Sequence, residues 1–316
     1  MSIDKKFIDH FVKVTTKAAL ASSFLVGKKD KIACDKAATD AMRSELNRIA
    51  MNGKIVIGEG ELDDAPMLHI GELLGTKKGP FFDIAVDPLE GTNFAANNLP
   101  GALSVIAISE KNNLFNAPET YMDKIAVGKN IPKGVIDLDY SIKKNIENLS
   151  DIKNKNPEDL RACILDRPRH KKKIEELKDL KVKLKLITDG DISGALLVCE
   201  EKYNIDIFLG IGGGPEGVLA ASALDTYDCQ FQGRFIFKEK KDIIRAKKMG
   251  ISDVDKKYDL NEIVSGDSIF CATGITHGDL VKGIEIKNTN FISETLVTHK
   301  SSNFKKIIRQ ENKLDL

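Results

Sequence analysis

Between Phe81 and Thr92 the sequence reads FFDIAVDPLEGT, an apolar strand that stops in two carboxylates, a proline, a glycine and a hydroxyl. Asp87 falls where the strand leaves its sheet. Pro88 fixes the backbone so that the Leu89 carbonyl and the Glu90 carboxylate face one point, and Gly91 and Thr92 open a helix. Ligands gather at the carboxyl ends of strands in open α/β sheets, and a helix start with a hydroxyl and unpaired N–H groups suits an anion. Two acids beside such a turn would repel a phosphate, so a cation must lie between them. Hard oxygen ligands select Mg²⁺ or Mn²⁺. The competing reading, a plain strand-ending turn, is weighed down by the helix signal that follows.

Other acids could join this pair. Glu59 follows a short strand, Lys54 to Ile57, and is flanked by Gly58 and Gly60, which let backbone approach a ligand; the alternative is a solvated loop charge. Asp35 reads either as a ligand or as the cap of a helix running to about Ala50. In GIGGGPEG, Gly212, Gly214 and Gly217 satisfy G-x-G-x-x-G after a strand, so a dinucleotide turn is a rival. Glu216 would repel a pyrophosphate there. As a metal ligand, with Gly213 approaching substrate through its backbone, it removes that conflict; a structural glycine turn is the third reading. Arg167-Pro168-Arg169-His170 and Asp189-Gly190-Asp191 each lie between a strand and a helix, where arginines can fork a phosphate and aspartates can accept from sugar hydroxyls. Taken singly, each reads as a turn or a cap. Tyr121 either covers core with its ring or reaches a phosphate with its phenol. His170, like the other histidines, reads as structural or solvent-facing, since neither a His-x-x-x-His spacing nor a Ser–His pairing is present.

These residues need elements to carry them. Apolar residues from Ile3 to Val26 recur at helical spacing and stop at Gly27. Strands are expected at Phe82 to Val86, Leu103 to Ile108, Ala162 to Leu165, Val182 to Ile187 and Ile205 to Leu209, with helices between the later ones. Shorter strands are expected at Gln230 to Phe237, Ile269 to Ala272 and Phe291 to Val297. This alternation implies an α/β fold with a mostly parallel sheet. The polar stretch Lys143 to Asn156 reads as surface helix and loop with solvated lysines. Two packed α/β subdomains are expected within one catalytic unit, about 1–157 for the metal and phosphate and 158–316 for the sugar phosphate.

At 42% hydrophobic and 30% charged, the 316 residues have the composition of a globular protein. Lysine plus arginine (48) nearly cancels aspartate plus glutamate (47), so no global field draws nucleic acid or an anionic membrane. The five cysteines are widely spaced, without a Cys-x-x-Cys pair, and read as reduced buried thiols. Charges occupy the place where a signal peptide would have its apolar core, so a cytoplasmic location is expected.

The blocks IGEGELDDAP, IAVDPLEGT, NAPETYMDKIAVG, RPRH, DGD, GIGGGPEG and SIFCATGITHGDL, in that order over roughly residues 35–279, resemble class II fructose-1,6-bisphosphatase. That family lies within the lithium-sensitive sugar and inositol phosphatase superfamily, to which DPLEGT alone points. The resemblance implies a layered αβαβα sandwich. It implies Asp35, Glu59, Asp87, Glu90 and Glu216 as ligands of Mg²⁺ or Mn²⁺. It implies substrate contacts at Glu90, Gly91, Thr92, Tyr121, Arg167, Pro168, Arg169, Asp189, Gly190, Asp191 and Gly213. The expected reaction removes the 1-phosphate of fructose-1,6-bisphosphate, a step of gluconeogenesis, with Thr92 and Glu59 orienting the attacking water and Arg167, Arg169 and Tyr121 gripping the 6-phosphate. A homodimer or tetramer is implied as well. The segment Asn93 to Asn98 and the lysine-rich stretch depart from the family pattern. The alternatives are a sedoheptulose-1,7-bisphosphatase, an inositol or nucleotide phosphatase, a nicotinamide-dependent oxidoreductase and a catalytically silent sugar-phosphate sensor.

Overall fold

The computed structural model describes residues 2–58 and 68–314. Packing divides the chain into one unit of Met1–Phe115 with Ser265–Leu316 and a second of Asn116–Val264. In the first unit α1 (Phe7–Ser23) turns Phe7, Phe11, Val14 and Ala18 inward, as their spacing predicts. α2 (Lys31–Leu46) follows, then β1 (Asn52–Ile57), β2 (Leu73–Leu74), β3 (Phe81–Glu90), α3 (Thr92–Ala96) and β4 (Leu103–Glu110).

The second unit begins with β5 (Tyr121–Val127) and α4 (Ile142–Lys153). β6 (Arg161–Leu165), α5 (Lys171–Asp179), β7 (Lys183–Ile187), α6 (Asp191–Leu196), β8 (Ile207–Gly213) and α7 (Gly214–Thr226) then alternate. β9 (Gln230–Ile236), α8 (Lys240–Lys248), β10 (Lys257–Asp259) and α9 (Leu260–Ile263) close the unit. The chain returns to the first unit as β11 (Ser268–Gly274), β12 (Glu285–Lys287), β13 (Asn290–His299) and β14 (Phe304–Lys313).

Each unit has its own sheet. Among the described residues the first has eight strands, in the order β12-β13-β11-β4-β3-β1-β2, with β14 on β13. The second is six-stranded, β10-β9-β5-β8-β6-β7. The boundaries therefore do not fall near residue 157. β11 pairs with β4, Ile269 opposite Ile108 and Cys271 opposite Ile106, so the last fifty-odd residues complete the first sheet rather than extend the second.

The mostly parallel sheet is also corrected. Among the described strands only β1/β3, β6/β7 and β6/β8 run parallel. A parallel pair needs a crossover, and α5 supplies one between β6 and β7. β3 to β4 and β13 to β14 instead turn back on themselves and pair antiparallel.

Apolar faces meet in a separate core in each unit. Phe11, Ile84, Ile106, Ile108 and Ile269 lie in the first, and Ile125, Val127, Ile164, Ile207 and Leu209 in the second. Emptying a site such as that of the fully buried Phe11 side chain costs ~3–5 kcal/mol. The polar stretch does form a helix, capped by Ser141, whose hydroxyl accepts from the Lys144 N–H at 3.1 Å. Its lysines are not all solvated: Lys153 and Lys155 reach Oδ1 of the buried Asp206 at 2.6 and 3.2 Å. All five cysteines are buried free thiols. Among the described residues no helix is long and apolar enough to cross a membrane.

Candidate active site

The DPLEGT segment folds as its letters require. β3 pairs Asp87 with Val105 but Glu90 with Leu103, so β3 carries one residue more than β4 across this step. That is a β-bulge, and Pro88 sits in it, where no ladder hydrogen bond asks for its missing N–H. The extra residue re-aims the acids: Asp87 is half-buried and Glu90 is only 4% exposed. Gly91 follows at φ 78°, ψ 48° as the N-cap of α3, and a Cβ there would stand 2.9 Å from the Phe94 ring. The left-handed backbone and the ring together demand glycine. Thr92 Oγ1 donates to the Leu89 carbonyl at 3.3 Å.

Asp35 lies inside α2, which packs against β3 and α3. It does not cap the helix. Asp30 does, accepting from the Ala33 N–H at 2.9 Å, so α2 begins one turn earlier than the sequence suggests. Freed from capping, Asp35 holds Oδ1 buried without a hydrogen-bond partner, and burial pushes its carboxyl up to about 6. A buried acid oxygen short of positive charge fits a hard cation.

β1 ends beside β3, Ile57 opposite Ala85. Gly58 has a structural reason to be glycine, because a Cβ there would collide with the Leu68 carbonyl. Glu59 and Gly60 lie outside the described residues, and so do the ligand and water-orienting roles expected of Glu59. Among the described residues no group of three acids, histidines or cysteines stands close enough to hold an ion.

In the second unit five strand ends meet at one edge of the sheet. β6, β7 and β8 are parallel, so their carboxyl ends share that edge. β5 runs against β8 and starts there, Tyr121 opposite Gly213, and β9 ends there, Ile236 opposite Tyr121. Chain direction alone thus brings together Arg167 to Arg169 after β6, Asp189 to Asp191 after β7, and Gly213 and Glu216 at the step from β8 to α7.

Pro168 opens a single 3-10 turn, Pro168–His170, and Arg167 Nη2 lies 3.5 Å from Asp189 Oδ1. Arg169 Nε donates to the Ile211 carbonyl at 2.7 Å, and its guanidinium carbon stands 5.0 Å from the Tyr121 ring centroid. The Tyr121 ring is 37% exposed, so it does not serve as a core cover. His170 is structural. Its Nδ1 donates to the Leu165 carbonyl at 2.8 Å and its Nε2 accepts from the Ile211 N–H at 2.7 Å, which ties the arginine turn to β8. Those two bonds define the neutral tautomer, and burial holds the imidazole pKa below its ordinary value.

Gly190, at φ 83°, lets the chain turn directly into α6. Asp191, expected at the sugar, is 8% exposed and paired with Lys124. Lys124 is the residue that sequence reasoning missed. It is 1% exposed on β5, contacts Asp191 Oδ2 and donates to the Gly213 carbonyl at 2.7 Å. A lysine followed directly by Ile125, Ala126 and Val127 in a buried strand was the available signal, since an unpaired ammonium does not stay there. Glu216 occupies the first turn of α7 beside this cluster. Burial raises its carboxyl pKa; Lys124 opposes that rise, while Asp191 and Asp189 add to it. The edge therefore offers exposed cations for an anion at its rim and a buried lysine with two acids beneath.

A family model described as bacterial fructose-1,6-bisphosphatase, glpX-encoded, matches residues 5–312. The chain is 40% identical over 311 residues to the fructose-1,6-bisphosphatase class 2 of Haemophilus influenzae, covering 94% of this chain and 93% of that one. It is 39% identical over 319 residues to the fructose-1,6-bisphosphatase 1 class 2 of Escherichia coli, covering 96% and 94%. A Prochlorococcus marinus protein, named D-fructose 1,6-bisphosphatase class 2/sedoheptulose 1,7-bisphosphatase, is 38% identical over 309 residues, covering 93% and 92%.

Proposed function

This chain belongs to the bacterial class 2 fructose-1,6-bisphosphatase family, and on that premise we propose that it hydrolyses the 1-phosphate of fructose-1,6-bisphosphate, yielding fructose 6-phosphate and phosphate in gluconeogenesis. The family match along nearly the whole chain carries this reading. The bulged DPLEGT turn and the cationic strand edge of the second unit supply the chemistry it needs.

Asp35, Asp87, Glu90 and Glu59 are assigned to hold a divalent cation, Mg²⁺ or Mn²⁺, and the same proposal includes Glu216. The partnerless Asp35 oxygen and the all-oxygen donor set support a hard ion. When bound, such an ion supplies a Lewis acid for phosphate and water oxygens. Thr92, whose hydroxyl donates a hydrogen bond to the Leu89 carbonyl, keeps lone pairs that accept from a water and orient it. The water oxygen then bonds to phosphorus as the bond from phosphorus to the sugar oxygen breaks; one of the water's protons ends on the leaving sugar oxygen and the other stays on the released phosphate. Arg167, Arg169 and Tyr121 grip the remote phosphate, and that grip positions the reacting end. Pro168, Gly190 and Gly213 shape the backbone around substrate, Asp189 faces the sugar side, and Asp191 acts from below through Lys124.

The Prochlorococcus relative's name supports a second reading, in which sedoheptulose-1,7-bisphosphate is also hydrolysed. A cytoplasmic homodimer or tetramer completes the proposal. The test is phosphate release from both bisphosphates with Mn²⁺ or Mg²⁺, repeated with chelator. Release from the fructose ester that stops on chelation is expected; release that ignores chelator, or none from that ester, refutes the assignment.

A further inference from the structure

Two cations share one tyrosine ring at the edge of the second sheet. Arg169 stands on one strand end, and Lys238, two residues past the end of β9, places its ammonium 4.7 Å from the centroid of the same ring. Like charges gathered at one ring repel each other unless an anion sits between them. Among the described residues no carboxylate pairs with Arg169 or with Lys238. Most of the neighbouring basic groups are already matched: Lys173 with Asp123, Lys241 with Glu239, Arg167 with Asp189. The unmatched pair stands at the ring of Tyr121, a residue that is itself 37% exposed.

Arg169 is also held in place. Its Nε is spent on the Ile211 carbonyl, which leaves the N–H groups of the two terminal nitrogens for a ligand. Lys238 rests on the ring with its flexible stem and can swing its point charge onto an oxygen that the rigid guanidinium fork does not reach.

We propose that Lys238 is a substrate-binding residue that completes the cradle for the remote phosphate with Arg169 and Tyr121, and so sets the preference for bisphosphates over monophosphates. The proposal rests on the bisphosphatase reading above. No signal in the sequence marks this lysine, which lies in the run FKEKKD among lysines that face solvent.

The variants Lys238→Met, which keeps the stem and removes the charge, and Lys238→Arg, which keeps the charge, test it. With Lys238→Met, KM for fructose-1,6-bisphosphate should rise roughly tenfold, the loss expected for an exposed charge-assisted contact, while kcat changes less than twofold. The ratio of kcat/KM for the bisphosphate to that for fructose 1-phosphate should fall by the same factor, and Lys238→Arg should restore most of it. Calorimetric titration of the parent and Lys238→Met with fructose 6-phosphate reads the same contact without turnover, so it still decides the matter if the chain fails to hydrolyse the bisphosphate. Equal affinity of the two proteins for fructose 6-phosphate, or an equal loss with both sugar esters, overturns the proposal.

Discussion

Replacing Lys124 by methionine removes the cation that pairs with Asp191 and acts electrostatically on Glu216, while keeping the length of the stem. Lys124 is 1% exposed and Asp191 8%, so water cannot take over the lost contact. Removing one partner of a buried ion pair costs ~3–5 kcal/mol, because the other charge stays behind uncompensated. The variant can relieve this by keeping a carboxyl protonated. The folded state then binds a proton that the unfolded chain, with its acids ionised, does not, so stability falls as pH rises by about 1.4 kcal/mol per unit. The expected loss is therefore near ~4 kcal/mol at pH 8 and shrinks steadily toward pH 6. At roughly 2–4 °C per kcal/mol for a unit of this size, the unfolding temperature should drop by about 10 °C at the higher pH. Thermal unfolding of chelator-treated parent and variant across that range measures both numbers. A loss under ~1 kcal/mol, or one that does not vary with pH, would show that Lys124 does not carry the two acids.

Thr92→Ala should cut turnover by about 100-fold and weaken affinity far less, since the main loss is orientation of the attacking water; steady-state kinetics with unchanged turnover would take that role away. Asp35→Asn should raise the unfolding temperature of the metal-free protein at neutral pH. A folded carboxyl pKa pushed up to about 6 is destabilising once the group ionises, so the gain should vanish below the ordinary carboxylate value of 3.8 and be complete above about 6. Thermal scans against pH test this, and the same variant should lose much of the stabilisation that Mn²⁺ gives the parent. His170→Phe leaves the Leu165 carbonyl and the Ile211 N–H without their partner, at ~1–3 kcal/mol for each. Urea denaturation should show that loss, and KM should rise as the arginine turn loosens from β8.

What was legible in the sequence was local. DPLEGT announced its own geometry because a proline, a positive-φ glycine and a helix start all act within a few residues of one another. The strand-end loops at Arg167 and Asp189 were legible for the same reason. Asp35 was ambiguous because KDKIACD offers two aspartates five apart, and the cap went to Asp30, which lies just before the first helical residue. The sheets were misjudged because alternating elements do not state which strands become neighbours: β11 reaches β4 across 157 intervening residues, from Glu110 to Ser268. β14 was invisible for another reason. It is an edge strand whose half-buried face offers Ile308, Gln310 and Asn312, so no apolar alternation marks it. Lys238 became informative only once the fold had supplied its neighbours, and for Lys124 the apolar run that follows it marked burial without naming the partner.

GIGGGPEG shows how one string of letters can serve opposite charges. A dinucleotide turn uses glycines so that backbone can approach a pyrophosphate. Here Gly213 has φ −63°, which any residue adopts, so left-handed backbone is not the reason for it. Space is. A Cβ on Gly212 would collide with the Asp191 carboxylate, which Lys124 holds in place, and a Cβ on Gly213 would displace the Glu216 carboxylate that folds back over it. The protein's own acids fill the volume where a pyrophosphate would lie, with Lys124 beneath them donating to the Gly213 carbonyl at 2.7 Å. β8 is also paired antiparallel to β5, not flanked by parallel strands on both sides as in a dinucleotide fold. The glycines admit carboxylates, and carboxylates at that position exclude a dinucleotide and favour a cation.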